Sequence, residues 1–489
     1  MTTKLLSYLE HSAARLPDKI AFDDGNERVS FAQLRWLAQE VGSFLVRRVT
    51  HTACPIAVIT RHRVADIVAF FGVLYAACFY VPVDGEAEKA FIQSRLDAVE
   101  PAFVIDAPTL ADLPRSELDN IALEAVSATQ RDADTACAVF TSGSTGIPKC
   151  ALTSHRAITD LAEWHTKSFD HSEHSIYGNQ TPFFFIASVK EIYLTVKNGA
   201  TTHILPKELF ARPAELLQRL DALRVNTIMW ATAAVKLIAT LDALASYAPQ
   251  GLKSVFFSGE NMPASAVNYW KGFLPRVRYV NLYGLTETAT NVAHYTVDRP
   301  LDDGESVPIG KPRQNVTLLL LNDGVLAKDG ETGEICVGGA CLSAGYWKNP
   351  QMTARLFTQN PLQNAYPETL YRTGDIARYN AAGELVYVCR KDSQVKHMGV
   401  RVELGEVETF AAGIEKITAT ACAYDTAKSR IVLFYAGDVA PALVRAALRG
   451  GLPKYLLPNR VVRLEKLPFL PNGKADRVKL NEMILQGDE

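Results

Sequence analysis

From about residue 54 the sequence alternates between two textures, and this alternation constrains the fold more than any other feature. The apolar, β-rich runs are CPIAVIT, AFVIDA, ACAVFTS, THILP, NTIMWA, LKSVFFSG and VRYVNLYG. Between them lie stretches with helical spacing: VADIVAFFGVLYAA, EKAFIQSRLDAVE, HRAITDLAEWHTKSF, ARPAELLQRLDAL, AAVKLIATLDAL and ASAVNYWKGF. A strand that is apolar throughout needs cover on both faces, and a helix between successive strands supplies it. The pattern therefore predicts an α/β protein with mainly parallel, helix-covered sheets. Ligands of such sheets sit at the carboxyl ends of the strands. The longest apolar run, Ile67 to Val81, contains Gly72 and is too short for a membrane span; it reads as a buried helix running into a buried strand.

After about residue 300 the runs become strands punctuated by Gly, Asp and Asn: VTLLLLND, GEICVGG, GELVYVCR and SQVKHMGVRVE. That predicts a β-rich subdomain over about 300–390. Beyond it, VELGEVETFAAGI and PALVRAALRG read as helices, and TATACAYD and SRIVLFYAG as strands, a compact α+β domain. The 489 residues exceed one ordinary core. The expected division is an N-terminal core over 1–390 and a smaller C-terminal domain over 391–489.

A formal net charge of -2 with no basic block gives no electrostatic reason to expect nucleic acid or an anionic membrane as partner. The eight cysteines form no C-x-x-C pair, and most sit in apolar runs, so they are expected to be reduced core thiols of a cytoplasmic protein. The N-terminus lacks the layout of a signal peptide.

Four polar stretches interrupt the pattern. FTSGSTGIPKC follows a strand and precedes a helix for which Ser154 is the expected N-cap. Its backbone N–H groups, the hydroxyls of Thr141, Ser142, Ser144 and Thr145, and the Lys149 charge would cradle a polyphosphate. Gly143 and Gly146 would permit close approach, and Pro148 would stiffen the exit. The spacing is not that of the P-loop, and by composition alone a linker is the other reading. NLYGLTETAT offers an aromatic face at Tyr283, followed by Gly284, the Thr286 hydroxyl and the Glu287 carboxylate: a base-stacking ring, a phosphate donor and a magnesium ligand. In YRTGDIARY, Asp375 is placed to take two sugar hydroxyls. LPNGKADR presents Lys474 on a glycine turn.

In order, these stretches resemble the adenylate-forming superfamily of acyl-CoA synthetases, luciferases and peptide-synthetase adenylation domains. The resemblance runs along essentially the whole chain through YVPVD, FTSGSTGIPK, NLYGLTET, GEICVGG, YRTGD, RKDSQVKHMGVRVELGEVE and PNGKADR. The segment QVK…GVRVELGEVE is most similar to the amino-acid-activating branch, including D-alanine–carrier-protein ligases. The resemblance implies a distorted β-barrel subdomain, ATP and Mg²⁺ as cofactors, and a carboxylate that attacks the α-phosphate to give an acyl-adenylate. A thiol then takes the acyl group; the expected thiol is phosphopantetheine on a separate carrier protein, with CoA as the alternative.

The resemblance also assigns roles. Lys474 bridges the substrate carboxylate and the phosphate. Thr286 and Glu287 act with Mg²⁺, Tyr283 stacks adenine, Asp375 holds the ribose, and Arg390 and Arg401 contact the ribose or phosphate side. Asp392 is the hinge of a mobile C-terminal domain. Cys150 and Cys389 stand where glycine is usual, and His155 is expected to pack or cap. An idle nucleotide-binding module is the rival of another class; the retained Lys149, Thr286, Glu287, Asp375 and Lys474 weigh against it. Nothing in the sequence resembles the water-activating base of a hydrolytic ATPase.

The resemblance places the acid pocket at Ile186, Ala187, Lys190, Met229, Phe256, Ser258, Leu282, Thr290 and Asn291. Ile186 replaces the aspartate that pairs with an α-ammonium in related domains, and Lys190 adds a cation nearby. A buried ammonium without a counter-charge costs several kcal/mol. The small-acid substrate is therefore expected to be a keto, hydroxy, aryl or dicarboxylic acid. Alternatively, Lys190 faces solvent and Glu191 or Asn291 meets a displaced amine.

Overall fold

The structure, a computed structural model, describes residues 4–111, 118–141, 149–302, 304–328, 330–391, 394–426, 428–469 and 475–486. The chain forms two compact units. The first comprises Met1–Gly85, Val99–Val139 and Cys150–Cys389; the second comprises Glu86–Ala98, Phe140–Lys149 and Arg390–Glu489.

The first unit is built on three sheets. The largest has nine strands in the order Lys311–Pro312, Thr290–Thr296, Arg278–Leu285, Ser254–Ser258, Thr227–Ala231, Ile176–Asn179, Thr201–Ile204, Ile20–Asp23 and Arg28–Ser30. The six strands from Arg278–Leu285 to Ile20–Asp23 pair in parallel, and the outer strands pair antiparallel. A second, five-stranded sheet has the order Phe103–Ile105, Pro55–Thr60, Phe79–Asp84, Thr135–Thr141 and Lys149–Ser154. The expected run from helix to strand appears as Val64–Tyr75 followed by Phe79–Asp84. One continuous apolar core joins Met229, Phe256, Val280 and Leu282 of the large sheet to Ile186, Val189 and Ile192. Fully burying each such side chain stabilises the fold by roughly 1.5–3 kcal/mol.

The β-rich expectation takes the form of a six-stranded antiparallel half-barrel sheet. Val325–Leu326, Val316–Asn322, Gly333–Gly339, Thr369–Tyr379 and Phe357–Gln359 follow in order, and Leu385–Arg390 joins Thr369–Tyr379. The C-terminal residues of the second unit pair Ile417–Asp425, Arg430–Gly437 and Arg460–Arg463 in a three-stranded sheet, with helices Leu404–Ala412, Pro441–Arg449 and Arg477–Gln486. Helix Lys89–Val99 contributes to this unit: Phe91 enters the core of Val402, Leu404 and Val407, and Arg95 meets Glu406 at 2.6 Å.

Two details correct the reading of the sequence. SQVKHMGVRVE is a hairpin rather than one strand. Gln394–His397 and Val400–Glu403 pair antiparallel, because Met398 and Gly399 both take positive φ (53° and 80°), the requirement of a tight two-residue hairpin turn. The following helix accordingly begins at Leu404, not Val402. The cysteines are free, but not all are core residues: Cys389 is exposed and Cys54 half-buried. Among the described residues no helix is long and apolar enough to cross a membrane.

Candidate active site

Four of the nine expected pocket residues, Met229, Phe256, Ser258 and Leu282, lie on parallel strands of the large sheet. Register pairs Met229 with Phe256, and Ser258 with both Ala231 and Leu282. Period-2 alternation then puts Phe256 and Ser258 on one face. Met229, Phe256 and Leu282 are buried. Ile186 and Ala187 lie in a single 3₁₀ turn, Ile186–Ser188, which leads into helix Val189–Asn198. Ile186 packs in the apolar core. Lys190, in the first turn of that helix, is buried and donates to Ser258 Oγ at 3.5 Å. The alternative in which Lys190 faces solvent is thereby excluded. Its burial lowers its pKa, with Glu191 pulling the other way. Glu191 is pushed by burial up to about 7.

Thr290 and Asn291 begin the antiparallel neighbour of Arg278–Leu285, and both are buried. The crossing is tight. A bulge falls between Tyr283 and Gly284, and a Cβ on Gly284 would lie 1.4 Å from the Thr290 carbonyl oxygen. Only glycine allows that approach.

The same strand carries residues that the sequence leads one to expect at a nucleotide. Tyr283 donates its hydroxyl to Asp375 Oδ2 at 2.7 Å. Asp375 is fully buried, and its backbone N–H is bound to Thr373 Oγ1. Thr286 and Glu287 sit in the 3₁₀ turn Thr286–Thr288 immediately beyond. Glu287 is buried and accepts from the Tyr346 hydroxyl at 2.6 Å. Among the described residues no group of three or more His, Cys, Asp or Glu could hold a metal. A single carboxylate beside phosphate oxygens is nevertheless how Mg²⁺ is commonly bound, so the donor set of Glu287 fits a nucleotide-borne ion.

In the second unit Thr141 and Lys149 flank the Ser/Gly stretch. The Thr141 hydroxyl reaches the Lys149 carbonyl oxygen at 3.5 Å. Lys149 Nζ lies 3.5 Å from Glu403 Oε1, and the Gln394 amide donates to the same oxygen. Arg401 donates to Gln394 Oε1 at 2.7 Å. Arg390 is the last residue of its strand. Ser142, Gly143, Ser144, Thr145, Gly146, Asp392 and Lys474 lie outside the described residues.

Ser154 is the N-cap of helix His155–Phe169, accepting from Ala157 N. His155 is a packing residue: fully buried, 3.1 Å from the Gln130 amide, and lowered by burial to about 4. Cys150 is buried. Sequence reasoning missed His165 on the same helix. Its ring lies 5.9 Å from that of Phe256, and both ring nitrogens are buried without a hydrogen-bond partner. The spacing Ile158, Leu161, Ala162, His165, Phe169 was the available signal, because it puts a histidine on the apolar stripe.

The first unit thus combines a largely parallel sheet, a half-barrel sheet and an aromatic–acid pair, Tyr283 and Asp375, with Glu287 just beyond the strand Arg278–Leu285. A model of the AMP-binding enzyme family matches residues 9–347, and the chain belongs to that family. It is 30% identical to tyrocidine synthase 1 of Brevibacillus parabrevis over 98% of this chain, and 29% identical to bacitracin synthase 1 of Bacillus licheniformis over 97%. It spans only 45% and 9% of those relatives. Among solved structures it resembles holo-PA1221, an NRPS protein containing adenylation and PCP domains (TM-score 0.82, 24% identity, 98% of this chain and 84% of that one). It also resembles IdnL1 (TM-score 0.79, 26% identity, 96% and 99%).

Proposed function

We propose that the chain activates a small carboxylic acid with ATP and passes it to the phosphopantetheine thiol of a carrier protein. The substrate carboxylate attacks the α-phosphorus, the bond to pyrophosphate breaks, and acyl-AMP forms. The thiol then attacks the acyl carbon, loses its proton and displaces AMP. The observation that carries this reading is the Tyr283–Asp375 hydrogen bond at the strand end that also bears Thr286 and Glu287. In this reading the Tyr283 ring would stack adenine and Asp375 would hold the ribose, with Thr286 and Glu287 serving the phosphates and magnesium.

Bound Mg²⁺ would supply charge neutralisation at the phosphates. Thr286 and Glu287 would orient it, and Lys149 with the hydroxyls and glycines of 141–146 would hold the β- and γ-phosphates. Lys474 would hold the acid and the phosphate together, two anions that otherwise repel. Arg390 and Arg401 would serve the ribose or phosphate side, and the C-terminal domain over 391–489 would turn about Asp392 between the half-reactions. The carrier partner is supported by the likeness to an adenylation–PCP protein. Ile186, set in an apolar environment, supports an acid without an α-ammonium.

The test is pyrophosphate release with ATP, Mg²⁺ and a panel of α-amino, β-amino, keto, hydroxy, aryl and dicarboxylic acids, with hydroxylamine as trap. Selective turnover is expected, and Lys474→Ala should abolish adenylate formation while sparing thiol transfer from supplied adenylate. Equal loss of both half-reactions refutes the role of Lys474. Transfer to CoA but not to a carrier would replace the carrier by the alternative thiol. No release with any acid, from folded protein that binds ATP, would return the idle-module reading.

A further inference from the structure

We infer that the acid activated by this chain carries a second carboxylate, which Lys190 receives together with His165, Ser258 and Asn291. This rests on the reading of the chain as an acid-activating enzyme and specifies its substrate class. Lys190 is only 2% exposed, and its one hydrogen bond among the described residues is the 3.5 Å contact to Ser258. Removing an ammonium from water for one long bond to a neutral hydroxyl leaves most of its desolvation cost uncompensated.

Its sequence neighbour Glu191 does not form an ion pair with it: successive residues of a helix point about 100° apart. Both Glu191 carboxylate oxygens are buried without a hydrogen-bond partner among the described residues, with Tyr177 and Asn179 close enough for electrostatic influence. The Glu191 charge acts on Lys190 without outweighing its burial, while Ser258, His165 and Asn291 nearby are neutral. His165 is held in its uncharged form by burial first and by the neighbouring Lys190 charge, with Asn291 acting in the opposite direction. Both His165 nitrogens are without partners. A buried cation and the unpartnered His165 nitrogens are groups that an anion completes and a methyl group leaves unsatisfied. The position of Lys190 beside Ser258, the last residue of its strand, is where this sheet type receives ligands.

The experiment measures pyrophosphate release for acids of equal length that end in methyl, carboxylate, carboxamide or ammonium. The carboxylate-ended acid should exceed the methyl-ended one by about 100-fold in kcat/KM, mostly through KM, as expected for a buried charged partner. Lys190→Met should cut that ratio by about 100-fold, and His165→Phe by about 5-fold. Preference for the methyl- or ammonium-ended acid by the wild type overturns the inference, as does an unchanged ratio in Lys190→Met. In those cases turnover persists and acid activation stands. Release with no acid at all removes the functional reading itself.

A different observation carries a second inference, independent of the first: we propose that Cys54 and Cys78 form a peroxide-oxidisable dithiol. Their sulfurs lie 3.3 Å apart. Pro55 pairs with Phe79 in the parallel ladder, so the two cysteines occupy the rung before it. Backbone bonds Phe79 N→Cys54 O (3.1 Å) and Ala53 N→Ala77 O (2.7 Å) hold that rung on both sides. Neighbouring strands are spaced within the Cα range of a disulfide. Cys54 is half-buried behind exposed residues 51–53, and Cys78 is covered. Hydrogen peroxide would oxidise the Cys54 thiolate to sulfenic acid with loss of hydroxide. The Cys78 thiol would then displace water, so that two thiols become one disulfide and peroxide becomes two waters.

Peptide mass spectrometry after mild peroxide should show Cys54 linked to Cys78 with loss of two hydrogens, reversed by dithiothreitol. Cys78→Ser should stop at a Cys54 sulfenic acid that dimedone traps. Exposed, solitary Cys389 is the internal control. Unlinked Cys54 and Cys78 under conditions that oxidise Cys389 overturn the proposal.

Discussion

The Tyr283 hydroxyl donates to Asp375 across 2.7 Å, joining two stretches 92 residues apart in sequence. Asp375 is fully buried and Tyr283 nearly so, so the bond orders both the ring and the carboxylate before any nucleotide arrives. Tyr283→Phe keeps the ring and loses that order. It should raise KM for ATP about 3- to 10-fold, the effect of one lost hydrogen bond to a charged group. Asp375→Ala should cost about 100-fold or more in kcat/KM. Pyrophosphate exchange at varied ATP separates the two, and equal effects would contradict the division of roles.

Gly284 has no room for a side chain, since a Cβ would collide with the Thr290 carbonyl. Gly284→Ala should force the bulge open and displace Asn291. A loss of about 3 kcal/mol or more in stability is expected from such backbone overpacking. Denaturant unfolding measures it; a change below about 0.5 kcal/mol would show that the bulge relaxes freely.

Lys149 and Glu403 form a buried ion pair. Glu403→Gln should cost about 3 kcal/mol, because it leaves a buried cation short of its partner, while raising KM for ATP less than threefold. Lys149→Ala should cost stability and, if Lys149 holds phosphate as proposed, also raise KM for ATP at least about 10-fold. Measured together, unfolding curves and ATP kinetics separate the structural role of Glu403 from the binding role of Lys149.

Stability should fall in mild acid. Burial lowers His155 and His171 to about 4 from 6.5. Between those values the unfolded chain binds the protons that the folded chain refuses. The stabilisation is complete above about pH 6.5 and is lost as the pH falls toward 4, by up to about 1.4 kcal/mol per pH unit for each histidine. Gln130, Asp132, Asp134 and Lys4 surround His155, and Asp170 and Arg278 surround His171. His155→Gln should remove about one proton from the slope in urea unfolding at pH 7.5, 6 and 5. An unchanged slope would show that His155 titrates alike in both states.

The alternation of apolar strands and helices was legible because it is local. β-branched runs such as IMWA and VFF declare buried strands, and Ser154 declares the start of its helix. The four polar stretches stood out in the sequence because each concentrates polar and charged groups within a few residues. The N-terminal hairpin was not legible. Its strands, Ile20–Asp23 and Arg28–Ser30, are too short to show a period, and a turn made by Asp24 accepting from Asn26 and Glu27 backbone N–H groups holds them. The hairpin at Met398–Gly399 was hidden because Met gives no sign of a positive φ.

The sequence by itself determined the alternation of elements and their order, both of which follow from spacing within a window of a few residues. Tertiary structure alone decided that Tyr283 meets Asp375, that Lys190 is buried against Ser258 with unpartnered His165 nearby, and that Cys54 lies beside Cys78. These are contacts between distant segments, set by sheet register and burial, and neither quantity is encoded in any single stretch of chain.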